Sequence, residues 1–161
     1  MLLGATAMHL THAQIDANLR TALRHTEPMV TGELDLLDQI LTPDWVNHPV
    51  DFGEGPGPAG FKRKCQWLHA HFAFHFDHQD VSAANDKVWI RALVTGTIRG
   101  SFVGKHLPGQ CVEFTTLECH RFVAGQIAES WHLQDYYALM VQVGVLPNLM
   151  NRQMDPYAAW R

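Results

Sequence analysis

The chain has 161 residues, a formal net charge of −4 at pH 7 and a pI near 6.2. Hydrophobic residues make up 47% and charged residues 17%, a composition that builds a core, and the length suits one domain. The cluster Lys62-Arg63-Lys64 is no nucleic-acid stripe and reads as a solvated helix face; no apolar run approaches the ~18 residues that span a bilayer.

Three cysteines, Cys65, Cys111 and Cys119, form no C-x-x-C pair, which argues against a disulfide scaffold or a zinc ribbon. The opening MLLGATAMHL lacks the basic region of a signal peptide, and either Met1 or Met8 is the start. The expectation is a cytoplasmic protein with neither nucleic-acid nor membrane partners.

Thr11-His-Ala-Gln14 has the spacing of a capping box. Ile15, Leu19, Ala22 and Leu23 then recur at helical spacing, so a first helix is expected to end near His25. A second is expected over residues 31–41, stopped by Pro43. Trp45-Val46-Asn47-His48-Pro49 exits into the Gly/Pro loop DFGEGPGPAG. Pro58 suits the first turn of a third helix, with Phe61, Cys65, Leu68 and Phe72 as its apolar stripe.

After Asp77 the period changes to two. Strands are expected near residues 80–84, 87–102, 111–123 and 126–135, with turns at Asp86, Pro108-Gly109 and Ala124-Gly125. A short helix over residues 136–143 ends at Gly144 and Pro147. Helices followed by long antiparallel strands define an α+β fold. The strand from Lys87 is apolar on both faces: Val88, Ile90 and Val94 on one, Trp89 and Leu93 on the other. One face is expected to meet the helices around a cavity and the other a second subunit, making a homodimer.

If Val123 pairs with Gln126, then His120 lies opposite Glu129, Glu118 opposite Trp131, and Phe114 opposite Asp135. A face that mixes Phe114, Trp131 and Leu133 with Glu118, His120 and Asp135 reads as a pocket wall. Asp135 suits a helix N-cap and equally a carboxylate that Trp131 and Leu133 desolvate toward proton-transfer chemistry. His120 stands six positions from the row of Asp135, ~20 Å away along a strand. His132 has the opposite parity and turns inward only with a bulge. His48 either stabilises its turn or serves a functional loop, and Arg91 is either a structural ion pair or an anchor for an anion or carbonyl. His69, His71, His75 and His78 tempt a metal reading, but the alternation of Phe72, Phe74 and Phe76 ends the helix and no H-E-x-x-H motif is present. Neither a metal nor a cofactor is expected.

LDLLDQILTPDWVNHPV with its Gly-rich loop, HFDHQDVSAANDKVWIRALVTGTIRGSFVG, and RFVAGQIAESWHLQDYYALMVQVGVLP together resemble SnoaL-like polyketide cyclases of the NTF2-like superfamily. The chain departs from the family pattern at His132, at Gly96-Thr97-Ile98-Arg99-Gly100 and at Phe76-Asp77-His78. The resemblance implies an NTF2-like curved antiparallel sheet wrapped around a pocket closed by N-terminal helices. It spans residues 29–148, with 1–28 as an N-terminal helical extension and 149–161 as a tail. It implies cofactor-independent ring closure of a small hydrophobic carbonyl-containing molecule by intramolecular aldol condensation. The family's aspartate acid/base near the end of the last long strand corresponds to Asp135, with His48, His132 and Arg91 as candidate oxyanion donors. Two alternatives stand beside this: a hydrolase or isomerase with an Asp135–Arg91 pair, and a non-catalytic ligand-binding dimeric module.

Overall fold

The computed structural model describes residues 10–51 and 54–149. The stretch around Met8 and all but the first residue of the expected tail lie outside them. Helix α1 (His12–Leu23) opens on the expected capping box: Thr11 accepts from the Gln14 backbone N–H, and Gln14 returns a bond to the Thr11 backbone. The second expected helix is instead two short ones, α2 (Glu27–Thr31) and α3 (Leu36–Ile40). Gly32 separates them, holding φ at 79° in the left-handed region that ends a helix.

The chain then enters a strand, β1 (Leu41–His48), where none was expected. It is an edge strand, which tolerates Pro43, and its register jumps between Leu41 and Val46, so no clean alternation marks it. Helix α4 (Gly57–His71) runs as expected, burying Phe61 and Cys65. It stops where the Phe alternation starts, at β2 (Phe72–Ala84). Then come β3 (Lys87–Ile98), the small hairpin β4 (Ser101–Phe102) and β5 (Lys105–His106), β6 (Cys111–Val123), β7 (Gln126–Gln134) and α5 (Tyr136–Gln142).

The main sheet has the order β1-β7-β6-β3-β2. It is antiparallel throughout except that β1 joins β7 in parallel. Alternation along β3 buries Val88, Ile90, Ala92 and Val94 on one face and turns Trp89 outward. On the inner side the sheet carries two apolar clusters. One joins α1–α4 to the sheet through Leu37, Trp45, Phe61 and Ile127. The other joins α5 to Phe72, Phe74, Val94 and Phe114. Among the described residues no helix is long and apolar enough to cross a membrane.

One irregularity decides which side chains face inward. Val123 pairs with Gln126 as expected, and Phe122 with Ile127, but Arg121 then pairs with Glu129. Ala128 is the extra residue of a bulge. Beyond it every β7 side chain has changed face relative to a regular ladder. His120 therefore sits opposite Ser130, and Glu118 opposite His132.

Candidate active site

A cavity of about 710 Å³ lies between the inner face of the sheet and the helices, within the size range of small-molecule sites. Its wall is chiefly apolar, with a run of aromatic rings on the sheet side. Phe72 stacks on Phe74 at 4.6 Å between ring centroids, and Phe74 meets Phe76 and Phe114 edge-on. Trp67 from α4 and Met140 from α5 complete this side. Strand alternation explains the wall: Phe72, Phe74 and Phe76 on β2 and Phe114, Thr116 and Glu118 on β6 are each two residues apart.

Glu118 carries the cavity's most enclosed charge cluster. Its side chain is 8% exposed. One carboxylate oxygen lies 3.1 Å from His120 Nε2 and 3.5 Å from His25 Nδ1. Burial, the largest single influence, favours the protonated acid. The hydrogen bond from His120 and the proximity of His25 outweigh it and hold the carboxyl well below its ordinary range. His25 follows α1, stacks on Phe61 at 4.7 Å, and has no hydrogen-bond partner at either ring nitrogen. Burial lowers it to about 4, so it is neutral at pH 7. The nearest donor atoms of His25, Glu118 and His120 all lie within 4.8 Å of one another, a spacing able to hold a metal ion. Thr116, one step along the same face, has a buried hydroxyl without a hydrogen-bond partner.

A second polar group lines the cavity from the loop before α4. Lys64 pairs with Asp51 and, at 3.3 Å, with Glu54, which also accepts a 3.0 Å bond from Asn47. The basic triplet is thus no solvated face. Lys62 pairs with Asp38 at 2.6 Å, while Arg63 and Lys64 turn into the cavity wall. Tyr136 Oη bonds Asp51 at 3.3 Å, and burial, with Asp51 nearby, raises its phenol above the ordinary value.

Of the residues the sequence pointed to, Phe114 and Glu118 line the cavity, and His120 lies buried directly behind Glu118. The others do not line it. Asp135 is exposed, and its carboxylate accepts a 2.9 Å bond from the Ala138 backbone N–H as the N-cap of α5. Trp131 and Leu133 lie on the outer face of the sheet, because the bulge reversed their parity; Leu133 is 70% exposed. Arg91 is on the same outer face, bonded to Asp80 at 2.6 Å and to Gln79, and so is not paired with Asp135. His48 stacks on Trp131 and bonds Glu129 at 2.9 Å, while Arg121 also binds Glu129 and depresses its pKa. His132 shares the inward parity of Ser130 and Gln134, but its ring bonds Gln134 at 2.7 Å and the Pro49 carbonyl at 2.9 Å.

His25, Lys64, Asp51, Glu54, Thr116 and Tyr136 were missed. Thr116 had a usable signal: it alternates with Phe114 and Glu118. The loop residues had none, since only the fold brings Asp51 and Glu54 to Lys64.

This arrangement can be set beside known proteins. The sequence profile of the SnoaL-like polyketide cyclases matches residues 20–143. No curated protein matches the chain. Among solved structures, a candidate polyketide cyclase from Bacillus cereus is 25% identical, with 85% of this chain and 87% of that one covered at a TM-score of 0.73. IdmH, a candidate polyketide cyclase from Streptomyces antibioticus, is 28% identical over 80% of this chain and 99% of its own, at a TM-score of 0.69. An epoxide hydrolase of the LEH-like kind from M. tuberculosis, 15% identical at a TM-score of 0.63, covers 80% of this chain and 90% of its own and shares the fold. The profile runs from α1 to just past α5 and so takes in every strand that walls the cavity: the chain belongs to the SnoaL-like polyketide cyclase family.

Proposed function

We propose that the chain is a cofactor-independent cyclase or isomerase that takes a flat, hydrophobic, carbonyl-bearing molecule into the aromatic cavity and moves a proton with Glu118. The observation that supports this is a buried carboxylate, held by a histidine and facing a cavity whose sheet wall is lined by Phe72, Phe74, Phe76 and Phe114. Glu118 takes the role that the family resemblance gives to Asp135, whose oxygen is engaged at a helix end.

The chemistry is an intramolecular aldol closure. Glu118 removes a proton from a carbon flanked by two carbonyls. The enolate carbon bonds to a ketone carbon in the same molecule, and the ketone's π electrons become an alkoxide. The protonated Glu118 returns its proton to that alkoxide, leaving an isomer of the substrate and the enzyme unchanged. Holding both ends of one molecule in the cavity supplies much of the acceleration. The Thr116 hydroxyl, Lys64 and Tyr136 are the donors that line the cavity near a developing oxyanion. The apolar outer face around Trp89, Leu117 and Leu133 is proposed to be covered by a second copy of the chain.

The test is incubation with a linear aryl polyketone able to close a ring, read by mass spectrometry. A protein-dependent product of equal mass, or lighter by one water, supports the reading. No product above the buffer rate across a panel of such polyketones contradicts it.

A further inference from the structure

We infer that Trp45 and Ser130 are positioning residues that keep the single proton of the His120 ring on Nε2, aimed at Glu118. The chain of contacts runs across three adjacent strands. Trp45 Nε1 lies 2.9 Å from Ser130 Oγ, Ser130 Oγ lies 2.8 Å from His120 Nδ1, and His120 Nε2 lies 3.1 Å from Glu118 Oε2.

Donor and acceptor chemistry orders these contacts. An indole nitrogen only donates, so Ser130 accepts from Trp45. An ionised carboxylate only accepts, so the proton between His120 and Glu118 belongs to Nε2. A neutral imidazole carries one proton, which leaves a lone pair on Nδ1. The Ser130 hydroxyl proton, free of Trp45, donates to it. Every group then has its partner, and no other neutral arrangement achieves this. With Trp45, Ser130 and His120 each 1% exposed, solvent is poorly placed to replace a lost partner.

The bulge is what builds this chain. Ala128 shifts β7 by one residue, so that Ser130 rather than Glu129 lies opposite His120. Glu129, left on the outer side, pairs with Arg121 and His48. The charged and titratable groups acting on Glu118 are His25 from the segment after α1, His120 from β6 and Tyr136 from the start of α5, while Lys64 from α4 acts on His25. Of these, His120 alone is tied on both ring nitrogens by buried side chains.

The importance of this lock for turnover rests on the proposed role of Glu118; the lock itself does not. The test is therefore two-armed. In protein labelled with nitrogen-15 histidine at pH 7, long-range proton–nitrogen NMR reads the tautomer of His120, assigned by its loss in His120→Gln. The expected form is the neutral Nε2–H tautomer in the unsubstituted protein, retained in Glu118→Gln because Ser130 still donates to Nδ1. Ser130→Ala shifts the Nδ1 resonance, and Glu118→Gln combined with Ser130→Ala gives a mixture of tautomers. An Nδ1–H or doubly protonated ring in the unsubstituted protein overturns the inference, as does a His120 spectrum that changes when the protein is dialysed against EDTA, which would mark a metal site. The first reading needs no variant, so a substitution that fails to fold does not shield the claim. The second arm measures turnover of the aryl polyketone. Ser130→Ala is expected to lower kcat roughly tenfold with KM within about twofold; an unchanged kcat overturns the positioning role. An Nε2–H ring in a protein where Glu118→Gln turns over normally would leave the lock standing and remove the proposed function.

Discussion

His120 and Glu118, two residues apart on one strand, place a ring nitrogen and a carboxylate oxygen 3.1 Å from each other at the cavity wall. Side chains at this spacing share a face of the sheet, so the pair follows from local sequence alone. Its burial does not. It needs the segment after α1 to cover it with His25, whose ring packs on His120 and on Phe61 of α4. The result is a buried carboxylate held by two histidines and open to the cavity.

The pH dependence of stability should report His25. Its pKa is depressed to about 4 in the folded protein against 6.5 in the unfolded chain. Below pH 6.5 the unfolded state binds a proton that the folded state refuses, so stability falls as pH drops from 6.5 to 4. The full loss from this group is about 3 kcal/mol. Urea titrations at pH 7 and pH 4.5 should show a smaller pH-dependent loss in His25→Phe than in the unsubstituted protein. Equal losses would show that His25 is not buried as a neutral ring.

Lys64→Gln should be strongly destabilising, by about 3 kcal/mol or more, because it leaves Asp51 and the nearly fully buried Glu54 without their cation. The double variant Lys64→Gln with Glu54→Gln should recover part of the loss, since it removes the stranded charge. Chemical denaturation of the two variants checks this.

How much of this was legible in the sequence depends on what a residue's signal is made of. The long strands β3, β6 and β7 announced themselves through period-two alternation, and β6 placed Phe114 and Glu118 on the cavity face and His120 behind it. β1 stayed hidden because it carries Pro43 and a register jump. The bulge at Ala128 left no mark in composition or period, yet it reversed the face of every later residue on β7. That single insertion is why Trp131, Leu133 and Asp135 read as cavity residues in the sequence and stand outside the cavity in the fold. Lys64 read as solvent-facing because its partners come from a loop, and His25 read only as the end of a helix.

Gly96→Ala should cost about 1–3 kcal/mol, since a Cβ there would collide with the Ala73 carbonyl and press on Phe74. Because Phe74 lines the cavity, the same substitution should weaken binding of an aryl ketone. A thermal melt and a fluorescence titration read through Trp67 check both effects.

If a second copy covers the outer face, Leu133→Glu should convert the dimer to monomers while leaving the fold intact, because Leu133 is 70% exposed in the single chain. Analytical ultracentrifugation of the variant and the unsubstituted protein decides this. A monomer in both would remove the dimer.

The central claim is that the proton moves on Glu118 and that Asp135 holds a helix end. Turnover of a ring-closing aryl polyketone by Glu118→Gln and Asp135→Asn, side by side, tests it most directly. Glu118→Gln is expected to lose activity by about 100-fold or more, whereas Asp135→Asn keeps it within about threefold, as Asn also caps helices well. The opposite pattern, with Asp135→Asn inactive and Glu118→Gln turning over normally, would contradict the account.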